Sequence, residues 1–180
     1  MVEARPVRTE KELQEILELQ KRNLPRSLDD RERAENGFVT VEHTLDVLQK
    51  MHALVPSIVA KDGDQLAGYA LVMPIECRAF IPVLAPMFER LDANAEVKGR
   101  RYYVMGQICV AKAYRGQGVF DRLYAAHREH LRHRFDACVT EISVRNPRSL
   151  RAHARVGFEE LERYRDAADE WVVVIWDLRT

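Results

Sequence analysis

The chain carries few of the features that announce a specialised class of protein. It has no net charge, because 28 Lys and Arg balance 28 Asp and Glu. The net basic surface of a nucleic-acid binder is therefore missing. Its longest unbroken apolar run, Trp171 to Trp176, falls far short of the ~20 residues of a membrane span. The N-terminus is charged from Glu3 onward, and no signal peptide is expected there. Only three cysteines occur, Cys77, Cys109 and Cys138, without CxxC spacing. Core thiols in a reducing, cytoplasmic setting are the expectation. No Pro-, Gly- or Ser-rich linker and no repeat divides the sequence. Neither GxxxxGK[ST] nor GxGxxG occurs, so the commonest nucleotide loops are excluded. What remains is one domain, residues 1–180, 47% hydrophobic and 31% charged. A core of that size buries roughly 70% of the unfolded chain's surface and needs no metal or disulfide staple.

Hydrophobic periodicity places the elements. Val2 to Arg8 reads as a first strand. Thr9 and Glu12 form a capping-box pattern before Leu13, Ile16, Leu17 and Leu19, a helix that ends at Asn23-Leu24-Pro25. A short charged helix is expected from Asp29-Asp30 to Asn36-Gly37, and another around Leu45, Leu48 and Met51, ending before Pro56. Ser57 to Lys61 and Gln65 to Met73 flank Asp62-Gly63-Asp64, a hairpin signature. Pro74 to Gly99 is irregular apart from a helix at Met87, Phe88 and Leu91. Strands follow at Arg101–Val110, Ala137–Val144, from Phe158, and at Trp171–Leu178. Helices are expected at Val119–Phe135 and Leu150–Val156, the second closed by Gly157.

Within the neutral total, charge is uneven. From Ala111 to Arg155 there are ten basic residues against four acids, a local bias suited to a small polyanion. The same segment opens with a strand, a loop holding Gly116 and Gly118, and a helix start. Unpaired amides and the positive end of the helix dipole make such a turn a phosphate site, although a plain strand-to-helix turn has the same pattern.

Arg115-Gly116-Gln117-Gly118-Val119-Phe120 resembles the acyl-CoA-binding turn of the GCN5-related N-acetyltransferase (GNAT) superfamily, Q/R-x-x-G-x-G/A, with Phe120 in the last place instead of Gly or Ala. Asn146, Ser149, Gly157 and Phe158 hold the register of the family's second motif, Asn-x-x-(Ala/Ser)-x-x-x-Tyr-x-x-x-Gly-Phe, with His153 in place of the tyrosine. The resemblance covers about Tyr102 to Phe158. It implies an α/β fold: a mixed, mostly antiparallel sheet of six or seven strands, flanked by helices and splayed between the fourth and fifth strands. It also implies that acetyl-CoA binds in the splay and an amine is acylated. The pantetheine would pair with Ile108, Cys109 and Val110, with the Val110 amide holding the oxyanion. The pyrophosphate would meet Arg115, Gly116, Gln117, Gly118, Val119 and Phe120, and Asn146 and Ser149 would contact the arm. The acceptor would lie under the segments Leu28–Pro56 and Pro74–Gly99. Edge strands in this superfamily often pair between subunits, so a homodimer is possible.

Amine attack on a thioester needs a base for the ammonium, donors for the oxyanion and a proton for the thiolate. Glu141, the only acid in its strand, is the candidate base, or else the partner of a nearby arginine such as Arg145 or Arg148. His153 is the candidate acid, or else a packing residue of its helix or a hydrogen-bond partner of CoA. Arg115 faces phosphate or lines the surface, and Asn146 ties the strand end to the arm or makes an ordinary turn. His127, His130 and His133 read as a solvated basic face, not a zinc site, and no metal is expected. A non-enzymatic acyl-CoA sensor or interaction module on the same fold is the alternative function.

Overall fold

The computed structural model describes residues 1–28, 39, 41–167 and 169–180. The charged helix expected from Asp29 lies outside the described residues. Among them, seven strands form one sheet: β1 (Glu3–Pro6), β2 (Ile58–Asp62), β3 (Gln65–Pro74), β4 (Tyr102–Val110), β5 (Ala137–Ser143), β6 (Glu159–Arg165) and β7 (Glu170–Asp177). The spatial order is β1-β2-β3-β4-β5-β7-β6. Every neighbouring pair is antiparallel except β4 with β5.

Helices cover both faces. On one, α1 (Glu10–Arg22), α2 (Leu45–Leu54) and α3 (Ala85–Ala93) pack Ile16, Met51 and Phe88 against Tyr69, Val104, Val139 and Val173. On the other, α4 (Val119–Leu131) and α5 (Pro147–Val156) cover Ala70, Tyr103, Cys138 and Val174. Burial from both sides explains why Tyr69 to Met73 of β3 reads as an unbroken apolar run.

Local chemistry sets the boundaries. The Thr9–Glu12 capping box forms as its spacing predicts. Helix α4 stops at Leu131, short of Phe135, where the amides of Arg134 and Phe135 turn back to the Leu131 carbonyl. Helix α5 begins three residues before Leu150, because the Asn146 side chain accepts from the Ser149 amide and Pro147 suits the first turn.

Two irregularities shape the site. Pairing of β3 with β4 steps from Ala70–Ile108 to Val72–Met105. Gly106 and Gln107 thus bulge opposite Leu71. A Cβ on Gly106 would lie 1.9 Å from the Met73 sulfur, so a side chain there must displace Met73. The second is a seam. β4 and β5 pair only at Tyr102–Ala137, Tyr103–Cys138 and Val104–Val139. Beyond, the strands part, with the Thr140 hydroxyl donating to the Met105 carbonyl (2.9 Å) at the point of divergence.

Candidate active site

A cavity of about 730 Å³ opens where β4 and β5 diverge. Ile108, Cys109 and Val110 line it from the free side of β4. The Ala111 amide bonds the Ala67 carbonyl beside β3 (2.9 Å). Successive amides of an extended chain point opposite ways, so the Val110 N–H is turned away from β3. Arg115, Gly116, Gly118, Val119 and Phe120 form the next wall. Gly116 and Gly118 sit at φ 75° and 73°, a left-handed backbone that favours glycine. The first helical bond of α4 runs from Arg122 to the Gly118 carbonyl (3.1 Å). The amides of Val119, Phe120 and Asp121 therefore have no acceptor within the helix and make an anion-binding end.

Asn146 and Ser149 line the far wall, with Arg148, Arg151 and Arg155 beside them. The arginines recur at a spacing of three and four, which puts them on one helical face. Arg155 also pairs with Asp121 across the two helices (2.9 Å). No motif position marks these three arginines, and their place on this wall was legible only as a charge bias. Gln117 is not a lining residue; its amide nitrogen donates to the Ala113 carbonyl (2.7 Å). Arg115 reaches the wall with its guanidinium tied to Asn23 Oδ1 (2.8 Å) and the Val110 carbonyl (3.3 Å). It thereby clamps the end of α1 to the end of β4.

His153 stands behind the wall. It is 1% exposed, its Nδ1 donates to the Ser149 carbonyl (2.8 Å), and its Nε2 accepts from the Tyr124 hydroxyl (2.7 Å). Burial pulls its pKa down to about 4, which keeps it neutral near pH 7. The Phe120 ring meets it edge-on at 5.2 Å and is itself a lining residue. An imidazole with both nitrogens engaged presents no free N–H to the cavity. His127 is a correction to the expected basic face. It is fully buried, and its Nδ1 lies 2.8 Å from the Tyr103 hydroxyl. Burial draws its pKa down to about 3.

Glu141 occupies the other face of the sheet, two residues past Val139, the last residue of β5 that pairs with β4. The Tyr164 hydroxyl donates to its Oε2 (2.5 Å). Neither Arg145 nor Arg148 bonds it; Arg145 pairs with Asp169 instead (2.8 Å). Burial raises the Glu141 pKa, the Tyr164 hydrogen bond opposes the rise, and Asp166 adds to it. On the same face, Gln107 projects from the bulge into a buried network. Its Oε1 accepts from Tyr69 (2.5 Å) and Gln20 (2.8 Å), and its Nε2 donates to the Val41 carbonyl (2.8 Å). The three cysteines are buried and free, and burial pushes the Cys109 thiol up to about 12, away from thiolate chemistry. The described residues contain no group of three or more His, Cys, Asp or Glu that could hold a metal.

A splayed strand pair opening beside a glycine turn and a cationic helix face agrees with a family profile. Residues 13–158 match the acetyltransferase (GNAT) family. The chain belongs to that family. Solved GNAT structures share the fold at low sequence identity. The ribosomal-protein-S18-alanine N-acetyltransferase of Escherichia coli superposes with TM-score 0.68 at 12% identity, over 99% of this chain and 94% of that one. The NatC complex bound to Gag peptide and CoA gives 0.65 at 15%, over 98% of each chain. An N-acetyltransferase from Staphylococcus aureus Mu50 gives 0.62 at 16%, over 99% of each. No curated protein sequence matches the chain. The seven-stranded, mostly antiparallel sheet is the GNAT architecture, and no helix among the described residues is long and apolar enough to cross a membrane.

Proposed function

We propose that this GNAT protein transfers the acetyl group of acetyl-CoA to a primary amine by direct attack, with Glu141 as the base. The observation that carries this reading is the cavity at the seam. It joins the free edge of β4, the glycine turn at the start of α4 and the arginine face of α5 in one continuous wall. Those parts fit an elongated thioester with an anionic end. The amides of Val119 to Asp121 with Arg148 and Arg151 would hold the phosphates. Ile108 to Val110 would pair with the amide-bearing arm, and the Val110 amide would hold the carbonyl oxygen as it gains charge. Bound there, acetyl-CoA supplies the activated acyl group.

Glu141 lies across the sheet from α4 and α5, on the face of α1, α2 and α3, where an acceptor would approach the seam from the side opposite the thioester. Its raised pKa suits the removal of a proton from an ammonium group. We assign His153 to holding Tyr124 and the first turns of α5, not to protonating the thiolate. Phe120 favours a second reading, an acyl-CoA-binding module without turnover, because its ring lies where the family pattern has Gly or Ala.

Titration calorimetry with acetyl-CoA and with CoA, at two salt concentrations, tests the cavity. Micromolar binding that weakens with salt supports it, and no binding overturns it. An amine panel then separates the readings. The enzyme turns over at least one amine and Glu141→Gln lowers kcat by roughly 10²-fold or more with CoA affinity unchanged, whereas the binding module turns over none.

A further inference from the structure

Glu141 shares its site with an aromatic side chain that no sequence motif marks. Tyr164 comes from the edge strand β6, is 8% exposed, and donates its hydroxyl proton to Glu141 Oε2 at 2.5 Å. That bond engages one carboxylate oxygen and leaves Oε1 as the basic one. The ring is held from its other side by α3, whose Arg90 guanidinium lies 4.1 Å from the ring centroid. Arg90 and Asn94 both bond Glu162 of β6 (3.2 and 3.4 Å), so the strand that carries Tyr164 is fastened to the helix above it. Among the described residues, the groups that act on Glu141 are Tyr164 from β6 and Asp166 from the turn leading to β7. Arg90 reaches it only through the Tyr164 ring, and Gln107 on β4 is uncharged.

We propose that Tyr164 is the positioning residue of Glu141: its hydroxyl fixes the carboxylate by one oxygen and leaves the other to take the proton. The inference rests on Glu141 being the base. Burial and Asp166 both favour the protonated carboxyl, whereas the Tyr164 hydrogen bond favours the carboxylate. Removing the hydroxyl while keeping the ring therefore makes Glu141 harder to ionise. A merely structural tyrosine would not change the ionisation of Glu141.

The test uses Tyr164→Phe, which keeps the ring beneath Arg90. The Glu141 carboxyl is titrated by carbon NMR in full-length protein labelled on glutamate side chains, and Glu141→Gln identifies its signal. This reading needs no acceptor. The midpoint is expected to move to higher pH in Tyr164→Phe, and an unchanged or lowered midpoint overturns the proposal. With an amine from the panel, the acid limb of the kcat–pH profile should move to higher pH in the same direction as the midpoint. On the alkaline plateau kcat should lie within about twofold of wild type, with KM little changed. An equal loss of kcat at every pH also overturns it. If the midpoint moves but Glu141→Gln keeps full turnover, the hydrogen-bonded pair exists but Glu141 is not the base. Glu141's assignment then falls, and the positioning role falls with it.

Discussion

Replacing His153 by phenylalanine separates a structural histidine from a catalytic one. In the native protein the imidazole bridges the Ser149 carbonyl and the Tyr124 hydroxyl inside a cluster of Phe120, Phe158 and Trp176. Phenylalanine keeps an aromatic ring there but accepts no hydrogen bond. The Ser149 carbonyl still faces the helical amide of residue 153, so the loss falls on Tyr124, which is fully buried. An orphaned buried hydroxyl costs about 1–3 kcal/mol, and the larger ring adds about 1–2 kcal/mol of overpacking. The variant should lose about 3 kcal/mol, or roughly 6–12 °C in Tm for a domain of this size. Thermal and urea unfolding measure it. Adding Tyr124→Phe removes the orphan as well, so the double variant should be more stable than the sum of the single losses predicts, by about 1–2 kcal/mol. Turnover per folded molecule should stay within about threefold of wild type. A stable His153→Phe variant whose kcat falls by about 10²-fold or more, with loss of one limb of the pH profile, would refute the reasoning and restore His153 as the acid.

Acid should unfold the protein early. His43, His127 and His153 have pKa values lowered by burial to about 4, about 3 and about 4. The unfolded chain therefore binds protons first as pH falls below the ordinary value of 6.5. Stability is fully present above that pH and is lost on descent toward pH 4, each histidine removing about 2 kcal/mol by pH 5. Urea midpoints at pH 7.5 and pH 5 check this, and equal midpoints contradict it. Gly106→Ala should cost about 1–3 kcal/mol by overpacking, because its Cβ would overlap the buried Met73 side chain. A Tm unchanged within 1–2 °C, measured by differential scanning calorimetry, would show that the bulge tolerates a side chain.

Period and punctuation made most of the fold legible. The Thr9–Glu12 cap, the Asp62-Gly63-Asp64 turn and the Gly157 stop are local devices, each sufficient to set a boundary. The glycine turn and the helix cap that line the cavity were equally legible, since the backbone at Gly116 and Gly118 favours glycine and Asn146 is both motif residue and helix cap. What escaped was set by tertiary contact. The burial of His127 depends on which helix face meets the sheet, and the same contact makes His153 the buried packing residue that stood as one of its alternatives. Tyr164 meets Glu141, 23 residues away in sequence, only because β7 pairs with both β5 and β6 and holds β6 one strand away from β5. The Gly106–Gln107 bulge leaves no periodic trace, since one extra residue in a nine-residue strand looks like ordinary alternation.

The seam between β4 and β5 gives the protein a particular kind of weakness. Two half-sheets, β1 to β4 and β5 to β7, are each held by long antiparallel ladders, yet only three residue pairs join them. The cavity draws one wall from each half, with the glycine turn following the first and α5 belonging to the second. A molecule lying along the open edge of β4 and reaching the arginines of α5 supplies cross-links where the backbone pairing stops. It acts as a removable rung between the halves. Occupancy at 100 times its dissociation constant would add about 2.7 kcal/mol to stability, a large share of the marginal 5–15 kcal/mol that holds a domain together. In the proposed reaction, release of the product would return the two halves to their three-rung connection.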